Sequence, residues 1–224
     1  MTELSTPPAE PSPVPALRID EVLPTFDVNL VEHIVVNADP AATYDALLRA
    51  DLMAGPVATL LVRARDLPNL LGGRRGQRTD KAPDRMTIKD AAGEKTGWCE
   101  LWAAPGVEWL AGLVGQFWHR DYGIVRVSAQ DFAGFDRPGY AKTVAGFSLR
   151  PYGRGRTLLS YESRTATTDA RARRTFAAYW LVLRPFVRQL MRSTLVTVRR
   201  EAERGGQRAP MDSFAPLVGA SSPP

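Results

Sequence analysis

The sequence predicts an α+β domain in which a curved, seven-stranded antiparallel sheet wraps around a long, kinked C-terminal helix. Between residues 85 and 167, six short segments rich in β-branched and aromatic residues are separated by turn residues. Strands joined by such short connections pair antiparallel. After residue 168, apolar residues recur with the period of a helix. A helix with one apolar stripe must bury that stripe, and one face of the sheet is the available surface.

The N-terminal part of the domain is predicted to form one strand and short helices. Residues 26–38 (FDVNLVEHIVVNA) alternate roughly and are rich in β-branched residues, which is typical of a strand. Asp39 and Pro40 then provide a helix N-cap and a first helical residue. A second short helix is predicted within residues 56–71. The polar residues 72–85 are predicted to form a loop, and they lack the pattern of a phosphate-binding loop.

Six further predicted strands complete the sheet. They are the segments RMTIKDA, GWCELWAAPG, VEWLAGLVGQFWH, YGIVRVSAQDFAGF, YAKTVAGFSLRPYG and RTLLSYESRTATT. Turn-forming pairs such as Pro105-Gly106 and Pro138-Gly139 separate them. The chain is therefore expected to cross the sheet as a meander.

The C-terminal helix is predicted to run from an N-cap at Thr168 to about Arg204. Its apolar stripe advances by three or four residues at each step and consists of Phe176, Trp180, Leu183, Val187, Leu190, Thr194 and Val198. Pro185 cannot donate a backbone hydrogen bond to the carbonyl of Leu181, so a kink is expected there. A bend would let the helix follow a curved sheet.

Composition and the two termini restrict the class of protein. Residues 1–24 and 205–224 are polar and rich in proline, and they are predicted to be disordered tails around a single domain of residues 25–204. The N-terminus lacks the features of a signal peptide, and no apolar run approaches the ~20 residues of a membrane span. The single cysteine, Cys99, cannot form an internal disulfide and is expected to be a small buried residue in a strand. These observations favour a cytoplasmic protein.

The net charge of +5 is unevenly distributed along the chain. Residues 1–60 carry nine acidic residues and two arginines, whereas residues 150–208 carry fourteen arginines and four acidic residues. A basic C-terminal half could meet nucleic acid or anionic lipid. The preferred interpretation is that these arginines lie on the solvated side of the helix and pair with the acidic half. No specific nucleic-acid partner is predicted, and contact with an anionic membrane is the lesser alternative.

Several segments also resemble the START-like or SRPBCC superfamily, whose helix-grip fold is shared by birch-pollen-allergen-type proteins and polyketide cyclases. The segments VGQFW, FAGFDRPGYAKTVAGFSL, LLSYESRTATTDARARRTFAAYWLVLRP and VRREAE are similar to those of uncharacterised actinobacterial members. The resemblance covers about residues 26–203. It implies a seven-stranded sheet wrapped around the C-terminal helix with a cavity between them. It identifies no catalytic residue, because no motif of the cyclase members matches this sequence.

The leading functional hypothesis is that the cavity binds a hydrophobic or amphipathic small molecule, such as a lipid or a polyketide, without a cofactor. One alternative is an enzyme of cyclase or aromatase type that uses the same cavity. Another is an interaction protein with a filled core that uses its arginine-rich surface. One cysteine and two separated histidines cannot assemble a zinc site, so no metal is expected. The sequence indicates no oligomeric state.

The candidate cavity residues follow from strand alternation and from the helix stripe. In VEWLAGLVGQFWH, the parity that contains Trp109 is the more continuously apolar and is expected to point inward. The same argument selects the parity of Phe147 in YAKTVAGFSLR. The predicted cavity wall is Trp102, Trp109, Phe117, Phe147, Phe176, Trp180 and Leu183. Tyr161, Tyr179 and Trp180 could contribute cavity polarity, although packing is the preferred interpretation.

The last predicted strand, in the segment LLSYESRT, carries candidate polar anchors. Glu162 and Arg164 share one face of that strand. If this face points inward, the two side chains pair beneath the helix and orient a polar group of the ligand, or Glu162 acts as a base. If the face points outward, they form an exposed pair of little consequence. His33 and His119 are the two histidines, and both are expected to be structural.

Overall fold

The part of the protein that the structure describes contains one antiparallel sheet. We describe the fold from a computed structural model, in which residues 16–51, 85–93, 96–119 and 121–207 are described. The strands are β1 (Val28–Val36), β2 (Cys99–Ala104), β3 (Glu108–Gly115), β4 (Ala141–Pro151) and β5 (Thr157–Thr167). Their order across the sheet is β1-β5-β4-β3-β2, and every neighbouring pair is antiparallel. The predicted α+β class and the antiparallel pairing are confirmed.

Helices lie on both sides of this sheet. Within the described residues they are α1 (Arg18–Val22), α2 (Pro40–Arg49), α3 (Ile88–Ala91), α4 (Ala129–Phe132) and α5 (Ala170–Gln207). The predicted start of α2 is confirmed, because Pro40 is its first residue and the Asp39 carboxylate accepts from the backbone N–H of Ala42 at 2.8 Å. The helix predicted within residues 56–71 lies outside the described residues.

Two predicted strands are wrong. RMTIKDA leads into α3, because Thr87 and Asp90 form a capping box in which each side chain accepts from the other residue's backbone N–H. YGIVRVSAQDFAGF contributes one isolated bridge, between Val125 and Val114, and then turns into α4 under the N-cap Ser128. The described part of the sheet therefore has five strands where seven were expected.

The long helix α5 starts at Ala170, one residue later than the predicted N-cap at Thr168 implies. Asp169 caps it, since its Oδ1 accepts from the backbone N–H groups of Arg171 and Ala172 at 2.7 and 2.8 Å. Thr168 instead joins the end of β5 to Tyr140, exchanging hydrogen bonds with its backbone N–H and carbonyl. The helix then continues through the exposed Pro185 to Gln207.

The two halves of α5 are packed differently. In the C-terminal half, the residues that enter the main core are at most 3% exposed, and they are Leu195, Val198 and Ala202. They pack with α2 and β1, including Leu47 and Val36, which are fully buried. In the N-terminal half, Trp180 and Leu183 are half-buried. The predicted apolar stripe therefore exists, but its two halves face different environments.

The short helix α1 covers the opposite, convex face of the sheet. Ile19 and Leu23 are 2% and 3% exposed and pack in a second core cluster with Leu110, Val114, Phe132 and Val144. The tail predicted for residues 1–24 is therefore wrong for this segment. This helix could not be predicted from the sequence, because five residues are too few to show a helical period and a proline-rich stretch precedes them.

Buried charged groups of the sheet hold both ends of α1. The Glu108 carboxylate accepts from the backbone N–H groups of Arg18 and Ile19 at 2.8 and 3.3 Å. At the other end, Arg164 Nη1 lies 3.4 Å from the carbonyl oxygens of Ile19 and Leu23. An acid at the first turn and a cation at the last turn satisfy free backbone groups and complement the helix dipole. Burial raises the pKa of Glu108, and its two N–H donors oppose that shift.

Arg164 also joins three segments through two ion pairs and a cation–π contact. Its Nε donates to Glu162 at 2.6 Å, its Nη2 donates to Asp20 at 2.7 Å, and the Phe26 ring lies against its guanidinium. Arg164 is 8% exposed, so removal of its charge leaves carboxylate and carbonyl oxygens without a partner. This cluster links α1, β5 and the segment before β1.

We expect Arg164→Met to destabilise the protein by about 3 kcal/mol, the usual cost of breaking a buried ion pair on one side. Arg154→Met is the matched control, because Arg154 lies exposed in the β4–β5 turn. The measurement is the free energy of unfolding from urea titrations. Equal effects of the two substitutions would show that the cluster contributes no more than a surface charge.

The two halves of α5 should also differ in their contribution to stability. Leu195→Ala removes a side chain that is 1% exposed and should cost ~2–5 kcal/mol. Trp180→Ala should cost only about 1 kcal/mol, because the half-buried ring borders open space and leaves no closed cavity behind. Urea titrations of both variants check this order, and a larger loss for Trp180→Ala would contradict it.

Candidate ligand cavity

A partly open cavity lies between the concave face of the sheet and the N-terminal half of α5. Its larger lobe has a volume of about 340 Å³ and its smaller lobe about 160 Å³. The two lobes adjoin, because they share the wall residues Trp98, Ala145, Tyr161 and Leu190. The cavity exists because the middle of α5 passes over the sheet without packing closely on it.

Sheet and helix form the two long walls of the larger lobe. The sheet contributes Leu113 from β3, with Thr143, Ala145, Tyr161, Ser163 and Thr165 from β4 and β5. The helix contributes Phe176, Tyr179, Trp180, Leu183, Val187 and Leu190. Both sets follow from periodicity, since alternate strand residues share a face and helix residues three or four apart share a side.

Aromatic rings form a large part of the walls of both lobes. In the smaller lobe, Phe147 lies between Trp109 and Tyr161, at ring-centroid distances of 6.2 and 4.2 Å. On the helix, the Phe176 ring stacks on Trp180 at 5.9 Å. Such surfaces present both faces and edges of aromatic rings to any molecule inside.

The cavity wall is uncharged within the described residues, and its polar side-chain groups are the hydroxyls of Ser, Thr and Tyr and the indole N–H groups of its tryptophans. Thr143 and Thr165 hydrogen-bond to each other at 2.8 Å. The Tyr161 hydroxyl has no hydrogen-bond partner among the described residues, so it is free to meet a ligand. Burial raises the pKa of Tyr161 and of Tyr179 to about 12, so both phenols are neutral hydrogen-bond donors at physiological pH.

Six of the nine candidate site residues lie on this wall. Trp109 and Phe147 border the smaller lobe, and the larger lobe is bordered by Phe117, Phe176, Trp180 and Leu183. The inward parity expected for β3 and β4 agrees with this placement. Ligand binding by these residues stays a prediction.

The other three candidates lie away from the cavity, and their assignment to its wall is wrong. A β-bulge between Glu100 and Trp102 pairs Trp102 with Leu110, which turns its ring to the convex face. There it is 41% exposed, and the Arg18 guanidinium lies over it. Glu162 and Arg164 also point to the convex face. Tyr161 lies opposite Phe147 on the cavity side, and successive residues of a strand point to opposite faces.

Sequence reasoning could not choose which face of the last strand lines the cavity. Tyr161 and Ser163 occupy the second parity of LLSYESRT, and both parities of that segment mix polar and apolar residues. Alternation alone could therefore not choose the inward face. Trp98 and Tyr122 reach the wall from loops, where no periodicity indicates a direction.

Among the described residues, neither histidine and no cysteine, aspartate or glutamate lines the cavity. His33 Nδ1 lies 2.8 Å from the Ser160 hydroxyl on the convex face, and His119 is exposed beside Trp118. The described residues contain no group of three side chains suited to hold a metal ion. Within the same ranges, none of the helices combines the length and apolar character of a membrane span.

The high pKa of Tyr161 has a consequence for stability at alkaline pH. In the folded protein, Tyr161 keeps its hydroxyl proton until about pH 12, whereas in the unfolded chain it loses this proton near pH 10. Its contribution to stability is therefore complete below pH 10 and is lost as the pH rises towards 12.

Tyr161→Phe should make this alkaline loss of stability shallower. Urea titrations at neutral pH and above pH 10 measure it. Tyr152→Phe, at a tyrosine that is 47% exposed, is the control. The same pH profile for wild type and Tyr161→Phe would contradict the burial of this hydroxyl.

Comparisons with known proteins give distant structural likenesses. No protein-family model and no curated protein matches the chain. The Zhui aromatase/cyclase of Streptomyces sp. R1128 is 12% identical with a TM-score of 0.36, over 81% of this chain and 97% of its own. CalU16 of Micromonospora echinospora is 11% identical with a TM-score of 0.27, over 79% of this chain and 84% of its own.

A protein of Thermus thermophilus is 12% identical with a TM-score of 0.27, over 80% of this chain and 99% of its own. These likenesses are too distant to assign a ligand or a reaction.

Proposed function

We propose that the protein binds a neutral, hydrophobic or amphipathic small molecule in the cavity between α5 and the sheet. One observation supports this above all others: the partly open cavity has aromatic and aliphatic walls with hydroxyls and indole N–H groups as their polar groups. Binding pockets for small molecules are concave and mostly apolar, with a few polar groups that fix orientation. Together, the two lobes of about 340 and 160 Å³ have a volume within the usual range for small-molecule pockets.

The wall chemistry favours a ligand without a charge. A carboxylate or an ammonium buried here would find no opposite charge on the described part of the wall, and an unpaired buried charge is very costly. The hydroxyls of Tyr161 and Ser163 instead suit a carbonyl or hydroxyl group. Flat rings would stack against Phe147 and Trp180, so a polyketide-like or other ring-containing molecule fits better than a free fatty acid.

Binding is better supported than catalysis. Glu162 is the residue that the sequence left open as a base, and it does not lie on the cavity wall, nor does either histidine. The Tyr161 phenol, with its pKa raised to about 12 by burial, does not act as a base at neutral pH. With the described residues, a cyclase or aromatase reaction in this cavity would therefore depend on ligand folding and on hydrogen-bond donation.

Native mass spectrometry of the purified protein, followed by solvent extraction, tests the proposal. We expect a reproducible added mass that solvent releases as an uncharged, ring-containing compound. Ala145→Phe should abolish the added mass, because Ala145 lines both lobes and a ring there fills their junction.

Ala177→Phe adds the same ring on the exposed side of α5 and should retain the ligand. Circular dichroism shows whether both variants fold. An added mass that survives in folded Ala145→Phe would place the ligand elsewhere, and a wild-type protein that binds none of a panel of neutral ring compounds would contradict the proposal.

A further inference from the structure

One side of α5 is rich in arginine. Between Ala170 and Arg200 the helix contains eight arginines and no acidic residue. Arg174, Leu181, Arg184, Arg188 and Arg192 follow one another at spacings of seven, three, four and four, so they lie along one side. We call these five residues the arginine face. It spans about 27 Å of helix at 1.5 Å per residue.

The arginine face remains positively charged after its ion pairs are counted. Glu32 on β1 lies 2.8 Å from Nε of both Arg188 and Arg192, so one carboxylate serves two guanidinium groups. Arg174 and Arg184 are exposed and form no ion pair within the described residues. Four arginines thus face a single carboxylate.

Large apolar side chains project from the same region. Leu181 is 79% exposed between Arg174 and Arg184, and its neighbour Val182 is 44% exposed. The next residues on either side, Trp180 and Leu183, line the cavity. The run Trp180-Leu181-Val182-Leu183 therefore carries one apolar pair inside the cavity and one in solvent.

Apolar side chains framed by arginines fit the boundary of an anionic bilayer. Arginines meet lipid phosphates and carboxylates at the surface, while leucine and valine enter the acyl boundary. A nucleic acid would use the arginines but would leave Leu181 in water, so the exposed apolar pair favours lipid.

We propose that the arginine face of α5 docks on an anionic membrane surface, with Leu181 and Val182 inserted among the lipid headgroups. Docking brings the helix that forms the cavity wall against the bilayer, so a hydrophobic ligand has a short route between lipid and cavity. The docking itself does not require a ligand, and it is tested independently of the proposed binding function.

Vesicle co-sedimentation of the full chain tests this proposal. The probes are phosphatidylcholine vesicles with and without phosphatidylserine, at low and high salt. We expect binding to the phosphatidylserine vesicles alone, falling steeply with salt because the attraction is screened. Arg174→Gln and Arg184→Gln should each weaken binding about fivefold. Leu181→Gln should weaken it about tenfold without changing the salt dependence.

Arg154→Gln combined with Arg200→Gln is the matched control for charge. Arg154 lies in the β4–β5 turn and Arg200 near the C-terminal end of α5, and both arginines are exposed and outside the arginine face. Equal losses in the control and in Arg174→Gln with Arg184→Gln would overturn the proposal, because net charge alone would then explain binding.

Absence of vesicle binding at low salt would also overturn it, as would a Leu181→Gln protein that binds like wild type. Retention of random-sequence DNA in preference to the vesicles would assign the face to nucleic acid instead. Because cavity occupancy is read separately by native mass spectrometry, a failure of membrane docking is distinguishable from a failure of ligand binding.

Discussion

The attachment of α5 at two separated places is the constraint on which the rest of the structure depends. At its C-terminal half, Leu195 and Val198 are locked into the main core with α2 and β1. At its N-terminal end, Phe176 is 3% exposed, and the capping residue Asp169 also accepts from the backbone N–H of Gly139. Between these two places α5 continues through Pro185 as one helix and passes over the sheet without packing closely on it. The cavity is the space that remains beneath this span, about 22 Å long from residue 176 to residue 191.

The charged side chains of the described strands lie outside the cavity wall. On the convex face of the sheet, Glu108 and Arg164 hold α1, and Glu162 accepts hydrogen bonds from Arg164 and from Asn29 of β1. The concave face in the cavity holds aromatic, aliphatic and hydroxyl groups. Burial of a charge is tolerated where partners surround it, and the backbone ends of a short helix provide such partners. The acid and base of β5 are therefore structural, while the neighbouring Tyr161 remains available to a ligand.

Strong local patterns in the sequence were enough to predict several parts of this arrangement. The N-cap at Asp39, the apolar stripe of α5 and the inward parity of Trp109 and Phe147 each follow from one dominant periodicity or from one capping residue. The orientation of β5 could not be predicted, because it depends on α1, a five-residue helix more than 130 positions away. The orientation of Trp102 depends on a single-residue bulge, which leaves no mark in the pattern of side chains.

The proline in α5 lies where it does least harm to the fold. Pro185 is exposed and falls in the half of the helix that borders the cavity, while the tightly packed turns from residue 191 onwards keep their full set of backbone donors. The carbonyl that loses its partner belongs to Leu181, and it can turn to solvent. Stability and selectivity thus reside in different turns of one element. Mutations between residues 177 and 190 can alter the shape of the cavity with little penalty to folding, so related proteins are free to diverge there and acquire new ligands while the anchoring turns stay the same.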